Sequence, residues 1–83
     1  MKYEIRIGEV YDGFIIRFFD IVELKEGTTL EEAKETLKVI AKDLRNLGFK
    51  QLAEKYNLQK HIIELEIVES ASFKILEEKR IKL

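Results

Sequence analysis

The dipeptide Asp12-Gly13 constrains the fold more than any other feature, because it lies between two apolar-rich runs of the chain. Asp-Gly is the typical centre of a two-residue type I′ hairpin, in which both central residues adopt positive φ angles. The pair predicts two antiparallel strands, at about residues 2–11 and 14–24. A turn this tight places Tyr11 opposite Phe14 and so sets the register of the hairpin.

Counting back from the turn gives one face of the hairpin that we predict to be the core face, with Ile7 opposite Phe18. Its apolar members are Tyr3, Ile5, Ile7, Tyr11, Phe14, Ile16, Phe18 and Val22. The same register puts Glu9 and Asp20 on this face. We therefore expect either a bulge that shifts the phase or an edge position for the two acids.

The opposite face of the hairpin is also apolar. It carries Val10, Ile15, Phe19 and Ile21, joined by Ile62, Val68 and Leu76 from later segments. Monomers rarely expose a contiguous apolar patch of this kind. A chain of 83 residues without cysteine has no disulfides to support a small core, so oligomerisation is the readiest route to further stability. We predict a homo-oligomer, with a dimer favoured, whose interface contains Val10, Ile15, Phe19, Ile21 and Leu76.

One main helix should follow the hairpin, with two frames for a capping box, one from Thr28 and one from Thr29. Its predicted apolar stripe consists of Leu30, Ala33, Leu37, Ile40, Ala41, Leu44 and Leu47. Gly48 suits a left-handed residue just past the end of this helix. A short second helix is predicted over residues 49–56, with Asn57 after it.

The remainder of the chain returns to a hydrophobic period of two, which is typical of strands. The alternation from His61 predicts a third strand, and we favour a fourth strand over a helix for residues 73–83. The sequence thus predicts one α+β domain over residues 1–83. It should contain a four-stranded, mainly antiparallel sheet in the order β-β-α-α-β-β, with the main helix packed on one face.

Composition limits the kinds of partner that the chain can have. Lys and Arg number 15 against 16 Asp and Glu, so the net charge of −1 provides no general attraction for nucleic acid or an anionic membrane. Charged residues make up 37%, a balance typical of hyperthermophile proteins that would fit a thermophilic archaeon or one of its viruses. No apolar run approaches the ~18 residues of a membrane span, so we expect a cytoplasmic protein without membrane contact.

No residue pattern predicts catalysis, a cofactor or a metal site. His61 is the only histidine, so neither a zinc site nor a base for Ser70 or Ser72 is readily assembled. Glu64 and Glu66 share one strand face, but alternating glutamates are most simply explained by solvation. We expect no enzymatic activity and no metal or organic cofactor.

By exclusion, the sequence favours a small binding or regulatory module that acts through protein–protein contacts. Nucleic-acid binding is the alternative, through a basic stripe on the main helix formed by Lys34, Lys38, Lys42 and Arg45. Acids near the helix start and cations near its end also suit the helix dipole, which explains the same stripe without a ligand. A small enzyme with a composite site at an oligomer interface is the third alternative.

Overall fold

The computed structural model describes all 83 residues as two β-hairpins joined by a long helix. Its elements are β1 (Tyr3–Tyr11), β2 (Phe14–Glu23), α1 (Leu30–Tyr56), β3 (Ile62–Glu69) and β4 (Ile75–Lys82). The strands form one antiparallel sheet in the order β2-β1-β3-β4, and α1 packs on one face of it. The predicted α+β class and four-stranded sheet are confirmed. The helix lacks the apolar length that crossing a membrane would need.

The turn between β1 and β2 has the backbone predicted from Asp12-Gly13, with φ angles of 54° and 85°. Two bulges in β2 then change the register. Ile7 pairs with Asp20. The next residue, Gly8, pairs with Phe18, so Phe19 is left over as the extra residue of the first bulge. The predicted pairing of Ile7 with Phe18 is therefore wrong.

Gly8 allows the first bulge to form. A Cβ atom added to this glycine would lie 2.8 Å from Ile15 Cγ2 and 3.0 Å from the carbonyl oxygen of Arg17. Both distances are shorter than ordinary contact, so any side chain at residue 8 would push β2 away from β1. The close approach of the two strands thus depends on the absence of a side chain at this position.

Helix α1 begins with the second predicted frame of the capping box. The Thr29 hydroxyl accepts a hydrogen bond from the backbone N–H of Glu32 (3.1 Å), whose carboxylate accepts one from the Thr29 N–H (3.0 Å). The element α1 extends to Tyr56, but Gly48 has non-helical backbone angles (φ 78°, ψ 170°), so two helical segments meet at a kink there, as the sequence predicted. Asn57 ends it in the left-handed conformation, as predicted.

The core lies between α1 and the sheet. Its buried residues are Tyr3, Ile5, Ile7, Ile63, Leu65, Ile67 and Ile81 of the strands, with Ala33, Leu37, Ala41, Leu44, Leu52 and Leu58. Alternate residues of β1 and β3 supply the sheet side, as a pleated strand requires. Some predicted core residues are exposed instead: Tyr11, Phe14, Ile16 and Phe18 of the first hairpin, and Leu47 beside the kink.

Glu9 is buried on the helix side of β1, where an unpaired carboxylate would be costly. It accepts hydrogen bonds from the backbone N–H groups of Gln59 (2.7 Å) and Lys60 (3.0 Å). It also accepts one from Nε of Arg17 at 2.8 Å. These bonds attach β1 to the segment that leads into β3.

Asp20, the second acid on this side, lies at the C-terminal end of α1. Its carboxylate accepts a hydrogen bond from the Tyr56 hydroxyl at 2.8 Å. Arg17 donates to the carbonyl oxygens of Tyr56 (2.7 Å) and Asn57 (3.2 Å), the end of a helix at which positive charge is favourable. Both acids that the sequence placed on the core face therefore have polar partners there.

Replacing Glu9 by Gln should destabilise the fold at pH 7 by about 1–3 kcal/mol, because two backbone N–H groups lose a charged acceptor. Burial alone raises the pKa of this carboxyl, but hydrogen bonds from Gln59, Arg17 and Lys60 outweigh burial and hold the pKa below its ordinary value of 4.5. The carboxylate therefore contributes stability above pH 4.5, and this contribution is lost as the pH falls through the lowered pKa.

Urea unfolding of the wild type and Glu9→Gln, from pH 7 down to about pH 2, measures this contribution. The difference in the free energy of unfolding between the two proteins should become smaller at the lowest pH values. Glu54→Gln is the control, because Glu54 is exposed on α1, and it should unfold like the wild type throughout. A difference that stays constant with pH would contradict the role assigned to the Glu9 carboxylate.

Candidate functional site

The face of the sheet opposite α1 is the candidate functional site, because no helix covers it. We call it the open face. The register places on it Ile15, Phe18, Ile21 and Glu23 of β2, Glu4, Arg6, Gly8 and Val10 of β1, Ile62, Glu64, Glu66 and Val68 of β3, and Ile75, Glu78, Arg80 and Lys82 of β4. Apolar and charged side chains thus share one surface.

Exposed apolar side chains lie towards the edges of the open face. Phe18 and Ile21 on the outer strand β2 are 42% and 51% exposed, and Ile62 and Ile75 at the two ends of the β3–β4 hairpin are 41% and 49% exposed. We call these four residues the apolar frame. Exposed apolar groups that share one face are typical of a surface that meets a partner.

The residues predicted for an oligomer interface divide between the two faces. Val10, Ile15 and Ile21 lie on the open face. Phe19 and Leu76 do not, because both pack against the core on the helix side. Each is the extra residue of a bulge, which turns its side chain to the other face. Their predicted placement is wrong, whereas the interface itself stays a prediction.

On the open face, Phe18 and Ile75 occupy the positions that we predicted for Phe19 and Leu76. The Phe19 ring centroid lies 4.8 Å from that of Tyr56, so this side chain stabilises the contact between β2 and α1. The alternation of side chains along a strand does not show which of two consecutive phenylalanines faces the core when a bulge lies between them and the turn. The signal that was missed is Gly8, because a glycine inside a strand often marks a bulge.

Three carboxylates meet in the β3–β4 half of the open face. The side-chain oxygens of Glu64, Glu66 and Glu78 lie within 4.8 Å of one another, and we call these residues the acidic centre. Glu66 and Glu78 are paired across β3 and β4. Glu64 and Glu66 are only 3% and 4% exposed, so the expectation that solvation explains them is wrong. Glu78 could not be placed beside them without the register of β4.

Arg80 balances one of the three charges. Its Nε donates to Glu64 Oε1 at 2.6 Å, and its Nη2 donates to the carbonyl oxygen of Gly13 at 2.7 Å. Because Gly13 lies in the turn between β1 and β2, the arginine also connects the tip of the first hairpin to β4. Glu64 is therefore a buried carboxylate with a charged partner.

Glu66 has neither a hydrogen bond nor an ion pair, although it is almost fully buried. Burial raises the pKa of its carboxyl, and the charges of Glu64 and Glu78 raise it further. Arg6, which pairs with Glu66 across the strands, acts in the opposite direction but is itself bonded to Glu4 at 3.0 Å. Glu66 is thus the least compensated charge on the open face.

The basic stripe on α1 is partly neutralised within the chain. Lys34 lies 3.6 Å from Glu31 and 3.8 Å from Glu77. Lys38 lies 3.3 Å from Glu35. The other two members, Lys42 and Arg45, are exposed and form no ion pair.

His61 and Ser72 each have a partner within the chain. The His61 ring stacks on Phe49, with centroids 3.8 Å apart, and Ser72 accepts a hydrogen bond from the Lys74 N–H. A scan against models of protein families finds no match for this chain, and searches of curated proteins and of solved structures find none either. Function is therefore inferred from the open face itself.

Replacing Glu66 by Gln should stabilise the fold at pH 7 by about 1 kcal/mol, because it removes a buried charge that has no partner. The pKa of Glu66 is raised, so the stability linked to this group is full below pH 4.5 and is lost as the pH rises through the raised pKa. At acidic pH, the variant should therefore no longer be more stable than the wild type.

Urea unfolding in buffer that contains EDTA measures this effect. Glu64→Gln is the matched comparison on the same strand, and it should destabilise the fold because Arg80 loses its charged partner. If Glu66→Gln were less stable than the wild type at pH 7, the assignment of Glu66 as an uncompensated charge would be wrong.

Proposed function

We propose that the protein is a small binding module that acts through protein–protein contacts, with the open face docked against the open face of a second copy. The apolar frame carries this proposal, because Phe18, Ile21, Ile62 and Ile75 are exposed on a surface that no element of the chain covers. A second copy presents the same surface, and a two-fold axis would cover both at once.

The size of the open face supports this proposal. Four strands about 4.8 Å apart, each about eight residues long at ~3.3 Å per residue, form a flat area of about 500 Å². Two copies would therefore bury at least ~1,000 Å² in total. Side chains that protrude from the sheet increase this area further. This area approaches the lower limit of specific protein–protein interfaces, about 1,200 Å².

The charges of the open face also suit self-association. The acids are Glu4, Glu23, Glu64, Glu66 and Glu78, and the bases are Arg6, Arg80 and Lys82. Since both signs are present on one surface, bases of one copy can face acids of the other in a two-fold arrangement. A surface of one sign only would repel its own copy.

Nucleic-acid binding is the second candidate, because Lys42 and Arg45 are exposed and unpaired on α1. It is the weaker candidate, since the other half of the basic stripe is paired with acids.

On our proposal, an electrophoretic shift assay at low salt should show no complex with single- or double-stranded probes. A complex that weakens steeply as salt rises, and is lost in Lys42→Glu, would favour nucleic acid instead.

Ile21→Lys should dissociate the dimer. Burying a large apolar side chain contributes about 1.5–3 kcal/mol, and one substitution acts twice in a two-fold interface, so the dissociation constant should rise at least ~100-fold. Sedimentation equilibrium should give twice the chain mass of 9.8 kDa for the wild type and the single mass for the variant.

Val39→Lys is the control for this experiment. Val39 is 58% exposed but lies on α1, away from the open face, so the variant should remain dimeric. A wild type that stays at 9.8 kDa at high micromolar concentration would contradict the proposed interface. Circular dichroism of each variant checks that the monomer is folded.

A further inference from the structure

We propose that the acidic centre binds one divalent, oxygen-seeking cation of the Ca²⁺, Mn²⁺ and Mg²⁺ class. Carboxylate oxygens are the ligands that this class prefers. The ligands would be Glu64, Glu66 and Glu78, two from β3 and one from β4. This site goes beyond the proposed docking function and does not depend on a second copy.

The spacing of the oxygens fits a single ion. Oxygens on opposite sides of Ca²⁺ are separated by twice its bond length of about 2.3–2.6 Å, and those on opposite sides of Mg²⁺ by about 4.2 Å. The oxygens of the acidic centre lie within 4.8 Å of one another. Small rotations of the side chains would therefore bring all three to bonding distance.

The burial of Glu66 is a second and independent indication of a ligand. This side chain is 4% exposed, has no hydrogen-bond or ion-pair partner, and points towards Glu64 and Glu78. A carboxylate that retains little contact with water and has no positive partner in the protein is costly unless something neutralises it. A cation between the three carboxylates would supply that partner.

The neighbouring arginines limit the strength of the site. Arg80 binds only Oε1 of Glu64, so the second oxygen of that carboxylate is free of protein hydrogen bonds. Arg6 is bonded to Glu4 but still places positive charge near Glu66. With three protein ligands and two nearby cations, we expect water to complete the coordination and the affinity to be weak, with a dissociation constant of about 10⁻⁴–10⁻³ M.

Titration with MnCl₂, followed in a ¹H–¹⁵N correlation spectrum, tests the site directly. Paramagnetic Mn²⁺ should broaden the amides of Glu64, Glu66 and Glu78 before those of the exposed acids of α1, and excess Ca²⁺ or Mg²⁺ should restore them. The same titration on Ile21→Lys should still broaden these three residues selectively, because each copy holds its own site. Loss of the dimer and loss of the cation site are thereby distinguished.

Variants at the acidic centre provide the controls. Glu66→Gln and the exposed Glu78→Gln should each weaken Mn²⁺ binding at least ~10-fold. Glu77→Gln should leave it unchanged, because Glu77 belongs to the same strand but contacts Lys34 of α1 instead. The proposal is overturned if about 5 mM Mn²⁺ produces no selective broadening at these residues, or if the broadening persists in both acidic-centre variants.

Discussion

The close contact between Gly8 and β2 is the constraint on which the rest of the structure depends. It allows the bulge at Phe19, whose side chain turns to the helix side of the sheet. Phe19 consequently reaches Tyr56 on α1, while the second bulge, at Ile16, places Phe18 on the open face. The packing of β2 against the helix therefore depends on the close approach that Gly8 allows, and the composition of the open face depends on both bulges of β2.

The two faces of the sheet accommodate buried acids in different ways. On the helix side, Glu9 and Asp20 lie where backbone N–H groups, Arg17 and the Tyr56 hydroxyl are available, so both carboxylates accept hydrogen bonds. On the open face, Glu66 is buried among other carboxylates and has none. The two acids on the helix side are therefore stabilised by partners in the same chain, whereas Glu66 on the open face would be stabilised by a bound cation or by a proton.

Signals that involve neighbours in sequence predicted the fold well. Asp12-Gly13 gave the turn, Thr29 the start of the helix, and Asn57 its end, because each of these features depends on local backbone geometry. The positions of the bulges depend on how β2 packs against β1 and α1, so period-two counting misplaced Phe19. The acidic centre was missed because it requires the β3–β4 register, which no local pattern contains.

A partner that covers the apolar frame also affects the charge of the acidic centre. A surface that covered the frame would also remove the remaining water from Glu66, which would increase the cost of its charge. Docking of a second copy would therefore favour whichever form of the acidic centre is neutralised, by a cation, by a proton or by a base of the partner. By thermodynamic linkage, neutralisation would favour docking to the same extent. The central charges, and not only the apolar frame, would thus determine when the open face is covered.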